Sequence, residues 1–75
     1  MNQEVTSVRV HLRHLRMAEP RPICHDGAKR WWARKGFDWP DFVMNGIDGQ
    51  KLLDTGDGLA RRVVNAAEKE SIGGR

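Results

Sequence analysis

Three histidines and one cysteine are the residues of this 75-residue chain that could take a soft or borderline metal ion. His11-x-x-His14 sets two imidazoles one helical turn apart, and Cys24-His25 could complete four zinc ligands. Side chains of adjacent residues diverge, however, and the spacing matches no common zinc finger. The plainer expectation is two exposed histidines, with Cys24 buried as a small hydrophobe under the next helix. Asp54-Thr55-Gly56 spells the aspartic-protease triplet. It lies between two helical patterns, with no β-barrel halves to hold it, so Asp54 reads as a helix-end residue and Gly56 as the glycine that closes the helix. Cys24 next to His25 suggests a thiol nucleophile, but sequence neighbours rarely meet as nucleophile and base, and no third group orients them. Gly46, Gly49, Gly56 and Gly58 have neither a strand before them nor a Lys-Ser/Thr after them, so no phosphate loop is present. No acid, base and nucleophile converge in the pattern. An enzyme is the least expected class, and neither a metal nor a cofactor is expected.

Bases and aromatics offer a different chemistry. All three Trp and both Phe fall within Ala28–Phe42, interleaved with Lys29, Arg30, Arg34 and Lys35. Residues 1–35 hold eight Lys/Arg against three acids, and residues 36–75 hold five against seven. A basic front half suits nucleic acid or an acidic protein, the alternative being a solvated charged face. Arg13, Arg16, Lys29, Arg30 and Arg34 could neutralise phosphates while an exposed indole stacks on a base. In a chain with no Tyr, though, the adjacent Trp31 and Trp32 are needed for a core, and at least one of them is expected inside. Trp, Met and Arg are also the types that anchor protein interfaces. If one aromatic stays outside, Trp32, Trp39 and Met44, flanked by Arg34, are the candidate protein-binding residues.

Short helices must position these groups. Val8 and Val10 alternate with Arg9, which suits a short strand, whereas Leu12, Leu15 and Ala18 suit a helical turn or two. Glu19-Pro20-Arg21-Pro22 ends any helix there. Asp26 is the expected N-cap of a helix that puts Ala28, Trp31, Trp32 and the stem of Lys35 on one face and closes at Gly36. Asp38 or Trp39 opens a third helix, with Trp39, Phe42 and Val43 on a shared face and Asn45-Gly46 as its stop. Ile47 is an apolar anchor in the turn. Asp48 caps a short helix carrying Leu52 and Leu53, and Asp57 caps the last, where Leu59, Ala60, Val63, Val64 and Ala67 recur at helical spacing. Seventy-five residues make one domain near the lower limit for a self-supporting core, so a homo-oligomer would add stability. No apolar run is long enough to span a bilayer and no signal-peptide pattern opens the chain, so no membrane association is expected. A lone Cys fits a reducing compartment.

The runs His11-Leu12-Arg13-His14-Leu15-Arg16, Cys24-x-x-Gly27-Ala28-Lys29-Arg30-Trp31-Trp32, Gly36-Phe37-Asp38-Trp39-x-x-Phe42-x-x-x-Gly46-Ile47 and Leu53-x-Thr55-Gly56-Asp57 resemble a group of small proteins of tailed phages and prophages, encoded among the late, virion-building genes. The resemblance spans about Val8 to Ala67. It implies a small phage protein at work in the cytoplasm of a bacterial host or incorporated in the virion, and it carries over no catalytic residues. The chain departs from that group at Glu19-Pro20-Arg21-Pro22, where the link is shorter in the others. A looser likeness is to the sterile alpha motif: Trp31-x-x-x-x-Gly36, an aromatic-rich short helix, Ile47-Asp48-Gly49, Leu52-Leu53 and a long final helix. It implies a five-helix interaction fold.

The expected architecture is therefore an all-α, single-domain bundle of four to five short helices with a short extended N-terminal segment. Residues 1–7 are expected as a flexible arm, 8–71 as the domain and 72–75 as a flexible tail. Trp31, Trp39, Phe42, Ile47, Leu53, Leu59 and Val63 are the expected core. The expected function is non-enzymatic binding of a phage or host protein during assembly or host takeover, with a small basic nucleic-acid-binding regulator as the alternative.

Overall fold

The alternation of Val8, Arg9 and Val10 does produce an extended start. The computed structural model describes residues 6–73 and opens on β1, Arg9–Val10. β1 pairs antiparallel with β2, Ile47–Asp48, in the register Arg9↔Asp48 and Val10↔Ile47. The chain is mostly helical with five helices, in line with the expected bundle, and this ladder adds a small two-stranded sheet that the all-α expectation lacked; Ile47 lies in the ladder rather than in a turn. A two-residue pairing across 36 intervening residues has no hairpin turn between its strands, so no local pattern announces it. The helices are α1, Arg13–Met17; α2, His25–Arg34; α3, Trp39–Asn45; α4, Gly49–Leu53; and α5, Gly58–Gly73.

Most helix ends follow from their capping residues. Asp38 Oδ1 accepts the Asp41 N–H at 3.0 Å, Asp48 Oδ1 accepts that of Gln50 at 3.0 Å, and Asp57 Oδ1 accepts that of Leu59 at 3.1 Å. Gly36 closes α2 at φ +78°. The start of α2 differs from expectation. Cys24, extended at φ −71° and ψ 151°, is the N-cap, and its Sγ accepts the Gly27 N–H at 3.3 Å. Asp26 lies inside the first turn, where its charge still complements the helix N-terminus. Cys24 is accordingly exposed, not buried as a small hydrophobe.

α5 is the element on which the rest packs. Its Ala60, Val63, Val64 and Ala67 are buried, and α1, α4 and β1 lie against it. α2 is pinned to its start, because Asp57 Oδ2 accepts the Trp31 Nε1–H at 3.0 Å while Lys35 Nζ stands 3.8 Å from the same oxygen. Of the expected core, Trp31, Phe42 and Val63 are buried, and Trp39, Ile47, Leu53 and Leu59 are half-buried against them. α5 continues through Ser71 and Ile72, so the helical unit outlasts its expected end. Residues 74–75 of the expected tail and, at the other end, residues 1–5 of the expected arm lie outside the described residues. Thr6 is tied down: its N–H donates to Gln50 Oε1 at 2.8 Å and its hydroxyl to Glu68 Oε2 at 2.7 Å.

His14 is buried, a second departure from the exposed histidines expected. Its Nδ1 accepts the His11 backbone N–H at 2.8 Å, so the ring proton sits on Nε2, which donates to Glu70 Oε1 at 2.7 Å. Arg13 grips both Glu70 oxygens, Nε at 2.8 Å and Nη2 at 2.9 Å. The Arg13 guanidinium first, and then the His14 N–H, hold the Glu70 carboxyl at about 2, down from its ordinary 4.5. The Trp31 N–H, followed by the Leu59 N–H, lowers Asp57 as well. Carboxylates held low when folded bind protons more readily when unfolded. Their contribution is complete above the ordinary carboxylate value and is lost as pH falls through it toward 2. The urea midpoint should therefore drop between about pH 5 and 3, after a smaller loss as pH falls below about 6.5 from His11, whose imidazole is held low by burial and then by Arg13. Glu70→Gln should flatten part of that drop; an unchanged drop would mean that Glu70 is not responsible.

Candidate interaction surface

Among the described residues, the histidines and the cysteine singled out in the sequence are spread over separate structural roles. His14 has both ring nitrogens engaged, His25 stands edge-on to Trp39 with centroids 5.7 Å apart, and Cys24 caps a helix. Among the described residues no three His, Cys, Asp or Glu are grouped to hold a metal. Asp54-Thr55-Gly56 forms the turn after α4: Asp54 Oδ1 accepts from Gln50 Nε2 at 3.0 Å, the Thr55 hydroxyl donates to the Leu52 carbonyl at 2.8 Å, and Gly56 takes φ +74°.

The basic residues divide into two sets. Arg9 donates to the carbonyls of Asn45 and Gly46 at the end of α3, Arg62 to those of Glu19 and Arg21, and Lys69 pairs with Glu19 at 2.9 Å. Arg13 is committed to Glu70, which removes it from the nucleic-acid candidates as a free cation. Lys29, Arg30 and Arg34 are exposed, and among the described residues they make no ion pair. At about 100° per residue they share the outward face of α2 with Ala33, opposite Ala28, Trp31 and Trp32. Arg16 is also exposed and lines a shallow groove with Ile23 and His25 where α2 begins.

Trp32 is not a surface anchor. It is fully buried, with its ring centroid 5.4 Å from Trp31, 5.5 Å from Trp39 and 4.4 Å from Phe42. The helix that carries it also supplies Ala28 and Trp31 to the core, and a bulky neighbour on that face can only go inward. Trp39 is half-buried, filling the space between His25 and Trp32 of α2. Met44 is 80% exposed. Val43, expected inside with Trp39 and Phe42, is 42% exposed. Val43 is turned about 100° away from Phe42 on the helix, and α3 is too short to bury both directions.

Val43, Met44 and Lys29 lie toward one another across α2 and α3, whereas Arg30 and Arg34 are turned about 100° and 140° further around α2 from Lys29. Pro40, Val43 and Met44 form an exposed apolar stripe along α3. One flank is Asp41, held by Asn45 Nδ2 at 2.8 Å. The other flank is half-buried Trp39 and then α2. Lys29 lies one turn from His25 and three residues before Trp32, the two α2 residues whose rings meet Trp39, so it is the base on the α3 side of the basic face. The sequence singled out Met44 and Arg34 and missed Val43, Pro40 and the closeness of Lys29. The missed signal was the shortness of α3, which leaves one side of the helix without a partner. No described helix is long and apolar enough to cross a membrane. Compared with known proteins, the chain finds no match among family models, curated proteins or solved structures.

Proposed function

We propose that the chain is a non-enzymatic protein-interaction module, whose α2–α3 surface docks on an apolar patch of a partner protein ringed by carboxylates. The observation that carries this reading is the exposed pair Val43 and Met44 on a short helix, beside Lys29, the nearest of three bases that make no ion pair among the described residues. Apolar side chains at the centre of a contact supply affinity, and unpaired bases at its rim select acidic partners and speed encounter. The likeness to small tailed-phage proteins suggests a phage or host partner, met in the bacterial cytoplasm or in the assembling virion. Selection of a random-peptide library on the immobilised protein tests the reading. Enriched peptides should carry apolar residues flanked by Asp or Glu, and Met44→Asp should weaken them about tenfold or more. Peptides without acids, or ones indifferent to Met44, would overturn it.

A nucleic-acid regulator is the second reading, favoured by the single outward face that carries Lys29, Arg30 and Arg34. Against it, Trp31 and Trp32 are inside and offer no stacking platform. Fluorescence anisotropy with labelled duplex and single-stranded DNA at about 50 and 200 mM salt should show at most weak binding at the lower concentration. Tight, steeply salt-dependent binding that Arg30→Ala and Arg34→Ala abolish would replace the protein partner with DNA.

A further inference from the structure

The end of α3 is held by β1 and the residue that follows it. Arg9 donates to the Asn45 carbonyl from Nε at 2.8 Å and to the Gly46 carbonyl from Nη2 at 3.3 Å. The His11 ring lies directly over Gly46: its Cε1 and Nδ1 are each 2.8 Å from where a Cβ on that glycine would stand. His11 is half-buried there, and its ring nitrogens have no hydrogen-bond partner among the described residues. Its charged and titratable neighbours are mostly bases. Arg9 precedes it on β1, Arg13 follows it on α1, and the His14 ring centroid is 5.9 Å away. The acid that acts on it is Glu70 of α5, but Arg13 holds both Glu70 oxygens and His14 donates to one of them. Other carboxylates of the surrounding elements are occupied as well: Asp41 accepts from Asn45 Nδ2, Asp48 caps α4, and Glu68 accepts from Thr6.

We infer that this contact is a pH-sensitive latch: the uncharged His11 ring closes on Gly46, and its protonation releases β1 from the end of α3. A proton on the ring adds a third positive charge to those of Arg9 and Arg13, with no free carboxylate to receive the new N–H. Burial first, and then Arg13, His14 and Arg9, lower the imidazole from its ordinary 6.5, while Glu70 acts the other way. Release of the segment removes those constraints, so the open form takes up the proton more readily than the closed one. Closure is therefore complete above about 6.5 and weakens as pH falls below it, by up to about tenfold per pH unit when each opening takes up one proton. The carboxylate losses begin nearer pH 5, which leaves a window in which His11 acts without them. α3 carries Val43 and Met44, so the docking surface loosens with the latch; that consequence, unlike the latch itself, rests on the proposed function.

Amide hydrogen exchange of the nitrogen-15-labelled protein, with no partner present, reads the latch directly. The Gly46 N–H donates to the Phe42 carbonyl at 2.8 Å and the Gly49 N–H to the Val8 carbonyl at 3.0 Å, so these two amides report the end of α3 and the β1 segment. Their protection, corrected for the intrinsic pH dependence of exchange, should be level from about pH 7.5 to 6.5 and fall about tenfold by about pH 5. The His11 ring-proton shifts should titrate along with that fall. His11→Gln should keep protection level across the range, and His25→Gln should follow the wild type, with far-ultraviolet circular dichroism confirming that each variant is folded. Wild-type protection that stays level down to pH 5, a His11 ring that titrates without any loss of protection, or a fall that persists in His11→Gln overturns the inference. The first two results need no variant, so the inference can fail even where His11→Gln does not fold.

Discussion

Trp32→Ala should leave the chain without a cooperative fold at 25 °C. The indole is fully buried and stands within 4.4–6.1 Å, centroid to centroid, of Trp31, Phe37, Trp39 and Phe42. Removing so large a side chain from a core costs about 3–5 kcal/mol, since its neighbours cannot collapse fully into the space. A chain of this size is held by about 4–11 kcal/mol in all. The loss falls on α2 and α3 together, because Trp32 is where their rings meet. Trp32→Phe should behave differently. Among the described residues the Trp32 Nε1–H is the buried side-chain polar atom without a hydrogen-bond partner. An unmet buried donor costs about 1–3 kcal/mol, so removing it offsets part of the lost packing. Urea melts should place Trp32→Phe within about 1.5 kcal/mol of wild type and show Trp32→Ala unfolded or nearly so. A folded Trp32→Ala with an ordinary midpoint would mean that the indole is a surface group.

Gly46→Ala is the second large effect. Gly46 has φ +79° and ψ −175°, a combination that side-chain-bearing residues scarcely adopt. A methyl there would also stand 2.7 Å from the Val10 carbonyl oxygen and 2.8 Å from the His11 ring. The carbonyl belongs to β1, so relief requires the β1–β2 ladder or the end of α3 to move. We expect a loss of about 2–4 kcal/mol, the strain and the collision acting together. Gly36 and Gly56 provide the comparison. Both have positive φ, yet nothing lies within 4 Å of a methyl at either position. Their Ala variants should lose only about 1 kcal/mol each, the conformational part alone. Equal losses at all three sites would show that the close approach of β1 to Gly46 does not exist in solution.

Gly46 also shows what the sequence could and could not say. Asn45-Gly46 marks the end of α3, and the helix does end there. That the same glycine admits the β1 backbone depends on a contact 36 residues distant, and no local pattern encodes it. The caps Asp38, Asp48 and Asp57 were legible because each acts on its own next few residues. Cys24 took the cap from Asp26 because the extended chain after Pro22 already turns into helix at His25. The aromatic stretch had to make the core, but which indole stayed outside was a matter of volume: α2 carries Trp31 and Trp32 inward together, and Trp39 is left at the margin. The interaction surface was half legible. Met44 lies on it, but Arg34 is turned about 140° around α2 from Lys29, toward Asp57, and the inward spacing of Val43 is one that a seven-residue helix cannot enforce. Arg13 resembled a free base until the fold brought Glu70 to it.

The most direct test of the docking surface is where the protein responds when an acidic peptide from the selection is added. Backbone amide shifts of nitrogen-15-labelled protein locate that response residue by residue. The peptide should shift the amides of residues 25–45, with the largest changes at Lys29, Val43 and Met44, and should leave the groove between α1 and α5 at rest. Shifts centred on Met17 and Ile72, or spread evenly over the chain, would contradict a docking surface formed by α2 and α3.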